Sequence, residues 1–140
     1  KSCEGLLPAS KFAVDAYVSF VGNRSLLEAI ASSLTEIYAP AIHAERISGL
    51  SKHYEWADDY ALAYFKKRIG QARKDVEFGR EWVIDNALTR DDQDAVLGAV
   101  RFKTEVLWAQ LDALYYAYVD PGFIPPGAFV PNGFAERAWS

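Results

Sequence analysis

The chain has 140 residues, of which 51% are apolar and 24% charged, so it is long enough for one domain with a buried core. Its net charge of −4, with no run of lysines or arginines, argues against a nucleic-acid partner. No apolar run approaches the length of a membrane span and no signal-peptide pattern opens the chain, so we expect no membrane partner.

The first two predicted helices are short. Residues 11–21 form a helix that carries apolar side chains on one side, and Gly22–Asn23 ends it as a C-terminal glycine cap does. The next helix begins near Ser25 and runs to about Tyr38. Pro40 then bends or breaks it, because proline has no N–H for the helical ladder, and the helical pattern resumes to about Ile47.

Two long helices follow. Residues 56–88 form one helical pattern that contains Gly70 and Gly79, and these glycines predict close packing against a neighbour. Thr89 caps the next helix, which runs to about Val119. No strand pattern competes with these helices, so the body is predicted to be all-α, with four or five helices.

The two ends of the chain support two further expectations. Cys3 is the single cysteine, so it forms no internal disulfide, and a reducing cytoplasmic location is expected. The chain has no methionine, and we therefore expect it to be a portion of a longer protein. Residues 121–140 are rich in proline and glycine, which is typical of an arm lying on its own domain or of a linker to a further domain.

Cations fall on the predicted apolar stripes of both long helices. Arg68 lies in the sector of Ala72 and Val83, with Tyr64 one turn earlier. Lys103 lies on the inner stripe of the last helix, which comprises Val106, Leu107, Leu111 and Leu114. An inward cation must be paired or ligand-bound, and a lysine can also lose its proton. An ion pair with an acid such as Asp75 and a site for an anionic ligand therefore both remain open.

The stretch SSLTEIYAPAIHAER adds an acid, an imidazole and a guanidinium. Glu36 and His43 are about two helical turns apart and so project the same way, and Arg46 follows one turn later. Pro40 leaves the carbonyl of Glu36 without its usual helical donor, which suits a cavity wall. We predict a shared polar cavity for a small polyanion and proton transfer, lined by Tyr17, Glu36, His43, Arg46, Tyr64, Arg68 and Lys103.

A metal site is the weaker interpretation of the same residues. Glu36 and His43 have a ligand-like spacing, but a di-iron bundle takes paired Glu and His sets from several helices and the second set is missing. Arg68 and Lys103 would also repel a divalent ion. We therefore expect no metal.

Several stretches in order carry a family resemblance: FAVDAYVSF, SSLTEIYAPAIHAERI, HYEW, YFKKRIGQARKDVEFG and FKTEVLWAQLDALYYAYV. They resemble the C-terminal part of the pyrroloquinoline-quinone synthase family, in the heme-oxygenase-like (TenA-like) superfamily. The resemblance implies that residues 1–120 are the C-terminal part of a single all-α catalytic domain, a heme-oxygenase-like helical bundle. The family has further helices before this region that contribute site residues, so this chain alone is expected to be inactive.

The resemblance also implies an activity. The family is a cofactor-free oxidase, which closes a ring and removes eight electrons from a bicyclic polycarboxylate precursor, with O2 as co-substrate, pyrroloquinoline quinone as product and H2O2 released. By position it implies that His43, Tyr64 and Lys103 are catalytic. The residues it implies for substrate binding are Tyr17, Glu36, Arg46 and Arg68. A homodimer is implied, and a fused or associated peptide-chaperone domain of the same pathway is a further expected partner.

Two other interpretations remain open. One is another enzyme of the same fold, such as a thiaminase-like hydrolase, which would need a cysteine nucleophile in the cavity, where Cys3 is poorly placed. The other is a non-catalytic helical binding module in which the inward charges form structural ion pairs.

Overall fold

The computed structural model describes residues 6–120, and within them the chain is entirely helical apart from short connections. Residues 6–120 contain five α-helices: α1 (Pro8–Asn23), α2 (Leu26–Ser32), α3 (Ala39–His53), α4 (Asp59–Asn86) and α5 (Arg90–Tyr118). A 3-10 helix, Ser33–Tyr38, joins α2 to α3. The all-α prediction is confirmed, while Cys3 and the predicted arm 121–140 lie outside the described residues.

Reciprocal hydrogen bonds set the starts of α2 and α5. The hydroxyl of Ser25 accepts from the backbone N–H of Glu28 at 3.2 Å, and the carboxylate of Glu28 accepts from the N–H of Ser25 at 3.0 Å. Thr89 and Asp92 repeat this capping box at 3.1 and 3.0 Å. Each box satisfies backbone donors that a helix start otherwise leaves unpaired. The predicted cap at Thr89 is confirmed.

Pro40 begins a helix rather than bending one. It lies in the first turn of α3, where a missing N–H removes no helical hydrogen bond. The break in the helical path comes earlier, in the 3-10 segment 33–38. There the backbone N–H of Ala39 donates to the carbonyl of Glu36, so the predicted free carbonyl is wrong. The expectation that Glu36 and His43 share one bent helix is also wrong, because Glu36 lies in the 3-10 helix and His43 in α3.

The chain divides into two compact units, one of residues 20–104 and one that includes residues 6–19 and 105–120. The core of the first unit joins Ala31, Val83 and Ala99, from α2, α4 and α5. A Cβ built on Gly79 would lie 3.7 Å from Leu34 and 3.8 Å from Ile30, so neighbours do pack against this buried glycine, at ordinary van der Waals distance. At Gly70 the prediction is wrong, since that residue is exposed and has nothing within 4 Å.

The predicted inner stripe of α5 is only partly buried. Val106 is buried, whereas Leu107, Leu111 and Leu114 are 38%, 64% and 45% exposed. None of the described residues covers these leucines enough to bury them. The periodicity therefore identified an apolar stripe correctly, but the prediction that the stripe is buried is wrong for these three leucines. None of the helices in residues 6–120 is long and apolar enough to cross a membrane.

Candidate functional site

The imidazole of His43 is buried on α3 between two aromatic rings of α4. The residue is 9% exposed, and its Nδ1 has no hydrogen-bond partner among the described residues. The ring of Phe65 lies 5.7 Å away, centroid to centroid, and the ring of Tyr64 meets the imidazole edge-on at 6.3 Å. Buried polar atoms in folded proteins are nearly all hydrogen-bonded, so an unpaired buried nitrogen marks His43 as a candidate functional residue.

Arg46 follows His43 by one turn of α3 and shares a neighbour with it. The guanidinium carbon of Arg46 lies 5.4 Å from the centroid of the Phe65 ring, within the range of a cation–π interaction. Arg46 itself is exposed. An imidazole and a guanidinium are thus brought to one aromatic ring, and we call His43, Arg46, Tyr64 and Phe65 the histidine cluster.

Arg68 lies one turn beyond Tyr64 on α4 and pairs with two acids. Its Nη2 is 3.4 Å from a carboxylate oxygen of Glu36, and its Nη1 is 3.5 Å from one of Asp75. The side chain of Arg68 is 24% exposed, whereas both acids remain more open to solvent. The ion pair with Asp75, one of the two interpretations that the sequence left open, is present, and Glu36 is a second partner.

Lys103, on α5, is half-buried and lies within electrostatic reach of Glu36. Burial lowers the pKa of Lys103, because the ammonium loses hydration, and the negative charge of Glu36 opposes part of that effect. Glu36 therefore lies between two cations, Arg68 and Lys103. Together with Asp75, these residues form a charge cluster.

Six of the seven residues predicted for the cavity fall into two groups in the structure. The histidine cluster holds His43, Arg46 and Tyr64, and the charge cluster holds Glu36, Arg68 and Lys103. Tyr64 and Arg68 connect the two, since they are one helical turn, roughly 6 Å, apart on α4. Tyr17 lies on α1 in the other unit, so its part in the site stays a prediction.

Phe65 is the residue that the sequence analysis missed. Its ring contacts three members of the site, His43, Tyr64 and Arg46. The sequence offered one indication of this role, since Phe65 directly follows Tyr64 and precedes Arg68 by three residues. Within residues 6–120, no three His, Cys, Asp or Glu side chains come together as a metal site would require.

Comparison with known proteins finds relatives that are similar to this chain over most of its length. The chain is 63% identical over 128 residues to a pyrroloquinoline-quinone synthase of Rhizobium meliloti, covering 91% of this chain and 50% of that protein. A pyrroloquinoline-quinone synthase of Granulibacter bethesdensis is 57% identical over 132 residues, covering 94% and 52%. The chain thus spans about half the length of the curated relatives it matches.

The family match itself extends over most of the chain. The TENA/THI-4/PQQC family matches residues 2–113, which include all seven residues predicted for the site. The resemblance inferred from the sequence motifs is confirmed, and with it the expected heme-oxygenase-like helical fold. The chain therefore belongs to the TENA/THI-4/PQQC family.

Proposed function

We propose that this chain supplies a catalytic portion of a pyrroloquinoline-quinone synthase, an oxidoreductase that uses O2. The observation that carries the proposal is the buried imidazole of His43, whose Nδ1 has no partner among the described residues and whose neighbour Phe65 also meets the guanidinium of Arg46. The names of the curated relatives support the same activity.

In this proposal His43 transfers protons. A general base must reach the proton it removes, and in this proposal Nε2 does so, because Nδ1 is buried inside the protein. The phenol of Tyr64 lies next to the imidazole and takes part in the same transfers. Because the imidazole is enclosed by aromatic rings, water competes little for its nitrogen.

The cations hold the substrate. A bicyclic precursor with several carboxylates needs guanidinium groups that pair with carboxylate oxygens, a role for Arg46 and Arg68. Lys103 stabilises the enolate and peroxide anions that develop during oxidation. We propose that Glu36 and Tyr17 supply further hydrogen bonds to the bound precursor. A substrate carboxylate then competes with Glu36 for Arg68, so binding exchanges one ion pair for another.

The electrons pass from substrate to dioxygen without a resident cofactor. Deprotonation makes the precursor electron-rich, ring closure and the loss of eight electrons give pyrroloquinoline quinone, and H2O2 is released. We further propose that the working enzyme is a cytoplasmic homodimer in which additional helices close the cavity. A peptide-chaperone domain of the same pathway is a proposed partner.

A non-catalytic helical binding module is the second candidate, and the ion pairs of Arg68 favour it. The test compares this chain with the full-length protein that carries it. Each is mixed with the precursor under air, and quinone absorbance and peroxide are followed. We expect turnover from the full-length protein and none from this chain alone. A folded full-length protein that neither binds the precursor nor forms quinone would favour the binding module.

Substitution of His43 tests the catalytic assignment directly. We expect His43→Asn to lower kcat by about 100-fold or more, as loss of a general base does, while the melting temperature changes little. His53, which is exposed at the end of α3, provides the matched control His53→Asn. Equal turnover in the His43 variant and the control would contradict the proposed role.

A further inference from the structure

The orientation of His43 is not set in the usual way. A catalytic histidine is normally held by a hydrogen bond from its second ring nitrogen to a carboxylate or a backbone carbonyl. Nδ1 of His43 has no such partner among residues 6–120, although the side chain is buried. Its position must therefore depend on packing, and the rings of Tyr64 and Phe65 are two of the groups that pack against it.

Phe65 has the more extensive set of contacts of these two rings. It lies 5.7 Å from the imidazole of His43, 5.4 Å from the ring of Tyr64 and 5.4 Å from the guanidinium carbon of Arg46. Phe65 is half-buried, whereas Tyr64 is exposed, so the Phe65 ring is the more firmly enclosed. Because His43 and Arg46 are one turn apart on α3, a single ring on α4 restrains both.

We propose that Phe65 is a positioning residue, which fixes the imidazole of His43 and the guanidinium of Arg46 relative to each other through its aromatic face. The proposal deepens the proposed function and rests on it. Phe65 touches neither substrate nor reacting atoms in this assignment. It acts by limiting the rotation of His43 and by giving Arg46 a π surface to lie on.

The consequence is a specific loss when the ring is removed. Phe65→Leu keeps an apolar side chain on α4 but has no aromatic face for either neighbour. A misplacement of about 1 Å in a catalytic group costs about 100-fold in rate. We therefore expect Phe65→Leu to lower kcat by about 10- to 100-fold and to raise KM by several-fold through Arg46. Phe65→Tyr, which keeps the ring, should restore most of kcat.

The experiment uses the full-length protein that carries this chain, with a control on the same helix. Phe78 is also on α4 but is 65% exposed, so Phe78→Leu removes a ring without touching the histidine cluster. We expect wild-type kcat and KM from that variant. Should Phe65→Leu fail to fold, Phe65→Met takes its place, since it fills similar space without a ring. Kinetics that match the Phe78 control in a folded ring-less variant would overturn the proposal.

A second readout separates this proposal from the proposed function. The imidazole C–H signals of His43, identified by their loss in His43→Asn, are shifted in NMR spectra by the neighbouring Phe65 ring. We expect these signals to move in Phe65→Leu, and to stay near their wild-type positions in Phe65→Tyr and Phe78→Leu. If no variant makes quinone but the shifts follow this pattern, the proposed function fails and the positioning contact stands. Unmoved signals in Phe65→Leu would overturn the positioning role.

Discussion

At the scale of single residues, the charge cluster shows how a helical protein carries inward cations without unpaired charge. Glu36 is shared between Arg68 and Lys103, and Asp75 adds a second partner for Arg68. Partly exposed pairs of this kind contribute about 0–1 kcal/mol each to stability. The cluster therefore contributes little to the free energy of folding. In the proposed function its role is to hold the cations where a substrate carboxylate can bind.

Lys103 gives the residue-scale prediction on pH. Burial lowers its pKa in the folded protein, so between that lowered pKa and the ordinary lysine pKa the unfolded chain binds more protons. The stability contribution of Lys103 therefore rises with pH through this window, and its penalty is fully present below it. We expect Lys103→Met to melt at the same temperature as the parent or higher at pH 7, with the difference shrinking towards pH 10.

Thermal melts at both pH values measure this effect. Lys67 is exposed on α4, so Lys67→Met serves as the control and should show no such dependence on pH. A lower melting temperature for Lys103→Met at pH 7 would mean that the charge of Lys103 stabilises the fold by more than its burial costs.

At the scale of elements, local chemistry sets where helices begin. Ser25 and Glu28 start α2, and the hydrogen bond from the Ser25 hydroxyl is the main cause of a lowered pKa for the Glu28 carboxyl. A carboxyl with a lowered pKa stabilises the fold above its unfolded pKa, and that stability is lost as the pH falls through the folded value. The start of α2 should therefore weaken on acidification.

Removal of this cap is the element-scale prediction. Ser25→Ala should lower the free energy of unfolding by about 1 kcal/mol, the usual cost of losing a serine N-cap. Ser51 is exposed in the last turn of α3 and provides the control. Ser51→Ala should change the free energy of unfolding by less than about 0.5 kcal/mol. Denaturant unfolding measures both, and equal effects would show that the capping box contributes nothing at Ser25.

At the scale of the whole molecule, exposed apolar surface is the dominant feature of the described residues. Large side chains on α1 and α5, including Phe12, Leu97 and Leu111, are mostly exposed. In the unit of residues 6–19 and 105–120, a groove of about 710 Å³ is lined mainly by apolar residues such as Leu7, Ala113 and Tyr116. Soluble monomers rarely leave such extended apolar patches open.

The whole-molecule prediction follows from this surface. The chain spans about half the length of its curated relatives, and we expect the additional helices proposed for the full-length protein to cover part of this apolar area. At equal molar concentration, this chain should bind more of a fluorescent hydrophobic dye than the full-length protein. Far-ultraviolet circular dichroism of both samples controls for unfolding. Equal dye binding by two folded samples would contradict the expectation.

The features that the sequence alone predicted are those that depend on near neighbours along the chain. These are the helical periodicity, the cap at Thr89 and Asp75 as a candidate partner of Arg68, and all involve residues within two turns of one another. The sequence also predicted the inward cations Arg68 and Lys103, because each occupies a position where the helical pattern otherwise has apolar residues.

Only the tertiary structure decided which elements meet and which faces are covered. Pro40 lies in the first turn of α3, and Glu36 lies in the 3-10 segment before it, in a different element from His43. Leu107, Leu111 and Leu114 stay exposed, and Phe65 becomes the shared neighbour of His43 and Arg46. Periodicity gives the direction of a side chain around its own helix axis. It carries no information on what packs against that side, which depends on contacts distant in sequence.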